Sequence, residues 1–285
     1  MTGRPTSSSR RSVVPPLGTL FDINLALFGV IVLGFVLMPV FVVFVVSLTA
    51  GESFAIPTGG LSLRWYATLF SDAQWREAFG NSLVVGLFST SGALALGVPA
   101  AYAAVRYGVR GKPLVEALAL SPLLLPTVAI AAAQYLLLAK LQIGGTILAI
   151  IITHIVYVMP FVFIICGLGV SAIDPQLEAA AFSLGAGRWT IFRRILLPNM
   201  MPSVIAAALL CFVSSFDELV LALFVGGGIR TVPLTILGEL KYELKPTIAA
   251  LSTALSLFTV GLACSAVLFM RRGKVKLAGI FSPSR

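Results

Sequence analysis

Charge is scarce in this chain: Asp, Glu, Lys and Arg make up 11% of its 285 residues, where an average soluble domain carries about 25%. That shortage excludes a water-soluble globule. Histidine occurs once, as His154, with no nucleophile placed to work with it, so a hydrolase of the Ser-His-Asp kind is not supported. Cys166, Cys211 and Cys264 all sit inside apolar stretches without C-x-x-C spacing. They read as small buried hydrophobes, and no cluster with metal-ligand spacing accompanies them, so no metal site is expected. A G-x-x-x-x-G-K-[ST] phosphate loop is also missing, since Gly111-Lys112-Pro113 lacks its context, and the chain is not expected to hydrolyse ATP by itself.

What the chain has in abundance is apolar sequence, 58% of its residues, with a mean hydropathy of +1.02. Runs of about 20 residues or more can each cross a hydrocarbon core of about 30 Å as a helix, whereas a barrel needs short alternating segments. The runs predict an all-α polytopic membrane protein with spans near 24–49, 80–105, 114–138, 143–170, 202–225 and 247–270. The first is too long for a signal-peptide core and is read as an uncleaved anchor. With both ends cytoplasmic, 14 of the 20 Lys and Arg residues lie inside and 6 outside, which supports an N-in, C-in orientation. The net charge of +9 therefore reports topology, and no nucleic-acid partner is implied. Residues 1–20 read as a disordered cytoplasmic tail, 21–272 as the membrane domain and 273–285 as a basic cytoplasmic tail.

Two connections are longer than joining helices requires, an outer one at 50–79 and an inner one at 171–201. In the outer one, Ser62 is placed to cap a short helix at 63–70, with Trp65, Tyr66 and Phe70 suited to the membrane interface. The inner one carries signals for a helix outside the membrane. Asp174 is a good N-cap, Pro175 fits the first helical position, Glu178 sits near the positive end of the dipole, and Gly185 suits a left-handed stop. Leu177, Ala181 and Leu184 are expected on one face beside small Ala180. A second piece at 188–197 places Trp189, Phe192 and Leu196 on one side and Arg193 and Arg194 on the other, before Pro198 and Pro202 interrupt the chain. Such a projection serves either as a docking knob for a cytoplasmic partner or as an amphipathic loop on the bilayer.

The stretch Glu178-Ala-Ala-Ala-x-x-x-Gly185, followed by Leu197-Pro198, resembles the EAA loop of the membrane subunits of binding-protein-dependent ABC importers. The family's usual spacing puts Glu-Ala-Ala on Ala179, Ala180 and Ala181, so Glu178 matches the acidic residue just ahead and Ala179 stands where the family carries Glu. Leu61 to Tyr66 through Phe79 to Leu83 is similar to the segment leading into the second span of this family, and Phe216-Asp217-Glu218, Thr231-Val-Pro233-Leu and Pro246 to Thr253 look more narrowly like the spermidine/putrescine-type permeases. The resemblance implies a six-span fold of the type I importer kind in a bacterial inner membrane. It also implies a second permease subunit, a sibling rather than a copy, a periplasmic solute-binding protein, and two cytoplasmic ATPases that hold the ATP and magnesium. The loop would then couple the ATPases to the spans through Leu177, Glu178, Ala180, Ala181, Leu184, Gly185, Trp189, Phe192 and Pro198. The alternatives are a permease for another small solute, such as an opine, amino acid or aminophosphonate, or a self-sufficient secondary carrier.

Charges inside spans are costly and mark function by default. Asp217 and Glu218 stand in span five, roughly 12 Å below its outer end at 1.5 Å per residue. Either they line a path for a polyamine or another organic cation, or they are structural, bonded to backbone amides at a break in the span or to the sibling subunit. Tyr135, Tyr157 and Phe161 line the same path or simply pack, His154 reads as a hydrogen-bonded packing residue, and Pro39, Pro122, Pro126 and Pro160 are expected to kink their helices.

Overall fold

The computed structural model describes residues 16–57, 59–107, 111–242 and 244–280, and the described residues are almost wholly helical. The elements are α1 (Pro16–Ser47), α2 (Arg64–Ser71), α3 (Ala73–Arg106), α4 (Lys112–Leu124), α5 (Thr127–Lys140), α6 (Ile147–Ser171), α7 (Pro175–Ser183), α8 (Arg188–Ile191), a π-helical turn (Phe192–Leu196), α9 (Leu197–Asn199), α10 (Met201–Phe216), α11 (Val220–Val225), α12 (Val232–Tyr242) and α13 (Pro246–Ile280). Four helices are long and apolar enough to cross a membrane, and up to six spans result if each of two bent pairs counts as one.

The centre of the bundle is α3 packed on α6 and α10. Lipid tails are as apolar as the helix faces, so close contact must come from small residues that admit a neighbour. Gly97 is such a residue, because a Cβ there would stand 2.6 Å from Val162 Cγ1. Gly86 likewise lies under the Phe212 ring, and Gly169 faces Ser203. Two polar contacts cross between these helices: His154 Nδ1 and Ser215 Oγ are 2.8 Å apart, and Ser89 Oγ donates to the Ile151 carbonyl. His154 is thus the packing residue its sequence position indicated.

Around this core the helices attach more loosely. Almost none of α1 is buried, and it leans mainly on α13. Its end is pinned instead, by Trp65 Nε1 donating to the Thr49 carbonyl at 3.0 Å and by a 2.8 Å bond between the Tyr66 and Ser47 hydroxyls. The helix α2 starts at Arg64, one residue later than expected, so Leu63 takes the cap position without a side-chain bond, while Ser62 Oγ accepts from the Arg64 amide at 3.1 Å. Trp65 is buried, because α2 folds back onto the end of α1. Asp72 caps α3 by accepting from the Gln74 amide at 2.7 Å.

Three expectations change. The span expected at 114–138 is two helices, α4 and α5, bent by 110°. Pro126 supplies no amide donor and drives Leu125 into an extended conformation, φ −100° and ψ 141°, so the helix must stop and restart. The span expected at 202–225 breaks after Phe216 and restarts at Val220. Helix also reaches into both stretches read as tails, over Pro16–Leu20 and over 273–280. Pro16 is preorganised for a first helical turn, and after Met270 no proline stops α13 before Ile280. The remainder of those stretches, 1–15 and 281–285, lies outside the described residues.

Near the start of α6 two backbones meet. Gly227 has φ +56°, and a Cβ on it would lie 2.4 Å from Gly145 Cα, while the Gly145 amide donates to the Val225 carbonyl at 3.0 Å. Gly227→Ala is therefore expected to lower the thermal midpoint of the detergent-solubilised protein by several degrees. The left-handed conformation alone costs about 1–2 kcal/mol for a non-glycine residue, before the clash is added. Gly228→Ala, whose Cβ meets nothing within 4 Å despite φ +100°, is the milder control.

Candidate functional site

Two regions carry the candidate residues. The first is the projection between α6 and α10. Asp174 accepts from the Gln176 amide at 2.9 Å and starts α7, with Pro175 in the first turn. The helix stops as expected: the Ala186 amide reaches back to the Ala181 carbonyl, the Gly185 amide to that of Phe182, and Gly185 takes φ +82°. Then α8 and the π-helical turn run to α9, and the chain bends by 72° at Met200 into α10.

The faces of this projection differ from the expected ones. Leu184 is 88% exposed and Trp189 69% exposed, and Leu177 and Phe182 are also exposed, as are Ala180 and Pro198. Ala181 does not share the exposed face with Leu177 and Leu184. It is buried with Glu178, because α7 lies across the inner ends of α3 and α6 and turns that side toward them. Phe192 is half-buried, stacked on Trp189 at 5.7 Å and lying beside the Tyr102 ring at 5.4 Å. Glu178 accordingly faces the bundle: its carboxylate lies 2.6 Å from Arg106 Nε and accepts from the Tyr102 hydroxyl at 3.1 Å. Phe182, Tyr102 and Arg106 escaped sequence reasoning. Phe182 follows a run of alanines that draws attention elsewhere, and the other two lie on α3, over 70 residues from Glu178.

The second region is the break in span five. Asp217 terminates α10, its amide donating to the Val213 carbonyl at 3.1 Å, and its carboxylate is exposed. Glu218 is turned the other way and caps α11, Oε1 accepting from the amides of Val220 at 2.8 Å and Leu221 at 3.2 Å. A carboxylate at the start of a helix answers two orphan amides at once. The Tyr157 hydroxyl of α6 faces Glu218, and Phe161 meets the Tyr157 ring edge to face at 6.4 Å. The structure thus brings Tyr157 near Glu218 and Asp217, with Phe161 packed on the Tyr157 ring. Tyr135 stands apart, lining a shallow cavity of about 280 Å³ with Ala132, Leu136 and Phe224. Among the described residues, no group of three His, Cys, Asp or Glu side chains converges on a point.

A bundle of apolar helices with broken spans, a membrane face on α1 and a helix–turn–helix projecting from one end defines a membrane permease. Residues 93–272 match the family described as "Binding-protein-dependent transport system inner membrane component", and the chain belongs to that family. It is 30% identical to the spermidine/putrescine transport system permease protein PotC of Escherichia coli over 82% of this chain and 89% of that one. The putrescine transport system permease protein PotI of the same organism is 33% identical over 68% of this chain and 72% of that one. Among solved structures, a bacterial ABC transporter involved in the import of the acidic polysaccharide alginate shares the fold, with a TM-score of 0.69, 17% identity, and coverage of 90% of this chain and 98% of that one. An inward-facing form of the MetNI methionine ABC transporter matches with a TM-score of 0.57 at 17% identity, over 70% of this chain and 96% of that one. The chain is a permease subunit of an ABC importer.

The two neighbouring carboxylates are expected to separate in a stability measurement. Glu218→Ala removes both amide acceptors and should cost about 1 kcal/mol, as loss of a helix cap does, whereas Asp217→Asn should leave thermal unfolding in detergent unchanged. Equal losses in both variants would contradict this assignment.

Proposed function

We propose that this chain is one of two pore-forming subunits of an ATP-driven polyamine importer in a bacterial inner membrane, with a sibling permease as the other. The observation that carries the coupling role is the exposed apolar set Leu177, Phe182, Leu184 and Trp189, presented on two short helices held at a fixed angle by Gly185. Large apolar side chains grouped on a protruding surface are the mark of a partner site. A cytoplasmic ATPase is the partner proposed, one for each membrane subunit, and the nucleotide and its magnesium belong to those subunits. A periplasmic binding protein delivers the solute on the opposite side.

The cargo reading draws support from the relatives and from Asp217. That carboxylate makes no hydrogen bond or ion pair with another described residue and lies exposed at the break of span five, near the aromatic ring of Tyr157. An ammonium group would supply the missing partner, and aromatic faces add cation–π attraction. Glu218, whose oxygen already serves two amides, holds the break open and does not need to touch the cargo. No basic side chain competes for Asp217 from within the proposed spans.

Two expected outcomes test this. Cells expressing the chain with its neighbouring transport genes should take up labelled putrescine and spermidine saturably. Asp217→Asn should lower that uptake at least tenfold with normal membrane insertion; full uptake by the variant would reject the cargo site. Gly185→Asp and Leu184→Asp should insert normally yet lose most uptake and most copurifying ATPase, the first by forcing a side chain into a left-handed turn, the second by placing a charge in the docking face. Uptake that proceeds with no ATPase in the purified complex would instead identify a secondary carrier. A complex whose ATPase responds to an opine, amino acid or aminophosphonate and not to polyamines would replace the cargo and keep the coupling role.

A further inference from the structure

The inner projection is tied to the bundle by charge as well as by chain. Arg106 is the last residue of α3, and its guanidinium serves two elements at once. One NH2 group donates to the carbonyls of Val170, at 3.0 Å, and of Ile173, at the end of α6. Its Nε stands 2.6 Å from Glu178 Oε1 on α7, with the two side chains only 12% and 10% exposed. A cation suits the negative end of α6, whose last carbonyls have no partner within the helix. The same cation then holds the carboxylate of α7.

The second Glu178 oxygen is held by the Tyr102 hydroxyl at 3.1 Å, which also lies 2.9 Å from the Tyr107 hydroxyl. Around this polar centre the aromatic groups extend the contact to the second half of the projection. Tyr102 lies against Phe192, and the Arg188 guanidinium sits over the Tyr107 ring at 5.2 Å. By contrast, no described side-chain hydrogen bond or ion pair ties α7 or α8 to α10. The chain passes from the projection to α10 through the π-helical turn and a residue, Met200, that leaves helical geometry at φ −89° and ψ 2°.

We infer that Arg106, Tyr102 and Glu178 form a clamp that locks the projection to the inner ends of α3 and α6, so that a push on Leu184 and Trp189 moves those helices directly while α10 follows through the bend at Met200. The clamp rests on the docking role proposed above. Its members touch neither ATPase nor cargo, because Glu178 faces away from the exposed apolar set and Arg106 lies beneath it. They are positioning residues. Simple adhesion would be served as well by apolar side chains, since desolvating two charges offsets much of their attraction. What a buried ion pair adds, when flanked by directional bonds from Tyr102 to Glu178 and from Arg106 to the carbonyls of Val170 and Ile173, is a single orientation of α7 relative to α6.

The test uses the purified complex with its ATPases, sibling permease and binding protein, in proteoliposomes. Glu178→Gln keeps size and shape while removing the charge, and Tyr102→Phe removes one hydroxyl, so both are expected to fold where Arg106→Gln, which also uncaps α6, is more disruptive. In Glu178→Gln the ATPase should remain in stoichiometric amount, amide hydrogen exchange across 175–183 should quicken at least tenfold, and labelled putrescine moved per ATP hydrolysed should fall at least tenfold. Tyr102→Phe should move both readouts in the same direction by a smaller factor. Adding Glu178→Gln to Arg106→Gln should make neither readout worse than Arg106→Gln alone, as befits two halves of one contact.

Unchanged exchange and unchanged transport per ATP in Glu178→Gln would overturn the clamp. So would loss of the ATPase from that variant, which would make Glu178 a docking contact instead. A wild-type complex that holds its ATPase but moves no putrescine would reject the proposed cargo while the exchange measurement still decides the clamp. A wild-type complex without ATPase would reject the docking role on which the clamp depends.

Discussion

A backbone that crosses a hydrocarbon layer has no water to satisfy its amides and carbonyls, so each must be paired within the protein. The rest of this structure follows from how that demand is met where helices stop. At the break between α10 and α11, the Glu218 carboxylate takes the amides of Val220 and Leu221. Between α4 and α5, Pro126 has no amide to leave unpaired. At the end of α6, Arg106 takes the carbonyls of Val170 and Ile173. Polar groups thus answer the open backbone at these helix ends, and helix ends are where a permease can bend.

Between these ends the bundle is held by fit. Gly97 against Val162 and Gly86 under Phe212 bring α3 close to α6 and α10, and the pair His154 and Ser215 removes two polar groups from the apolar interior by joining them. The peripheral helices are a different case. Almost none of α1 is buried in this chain, and its apolar surface is left uncovered by the other helices. A tightly packed centre with loosely attached flanks suits motion of one part against another, because rigid bodies move against one another only if some contacts are firm and others weak.

Sequence reasoning recovered the inner projection well because its signals are local. Asp174, Pro175 and Gly185 act within one or two turns of their own positions, and the caps and the left-handed stop form where their spacing places them. The facing of α7 was not recoverable in the same way. Leu177, Ala181 and Leu184 are spaced for one stripe, yet Ala181 turns inward with Glu178, since the partner that decides burial is the far end of α3. Span five shows the same division. The presence of two acids in an apolar run marks a special place from sequence, but which acid caps a helix and which stays exposed depends on where the helix breaks.

The amino-acid sequence by itself determined a helical membrane protein with an inner projection, because hydropathy and caps are properties of short contiguous segments. Its motifs also marked the family to which the chain belongs. Only the tertiary structure decided that Arg106 and Tyr102 meet Glu178, that span three turns through 110°, and that Glu218 caps α11 while Asp217 stays exposed. Those outcomes depend on residues far apart in the chain, or on the angle a break adopts against its neighbours, and neither is written in the periodicity of any one helix.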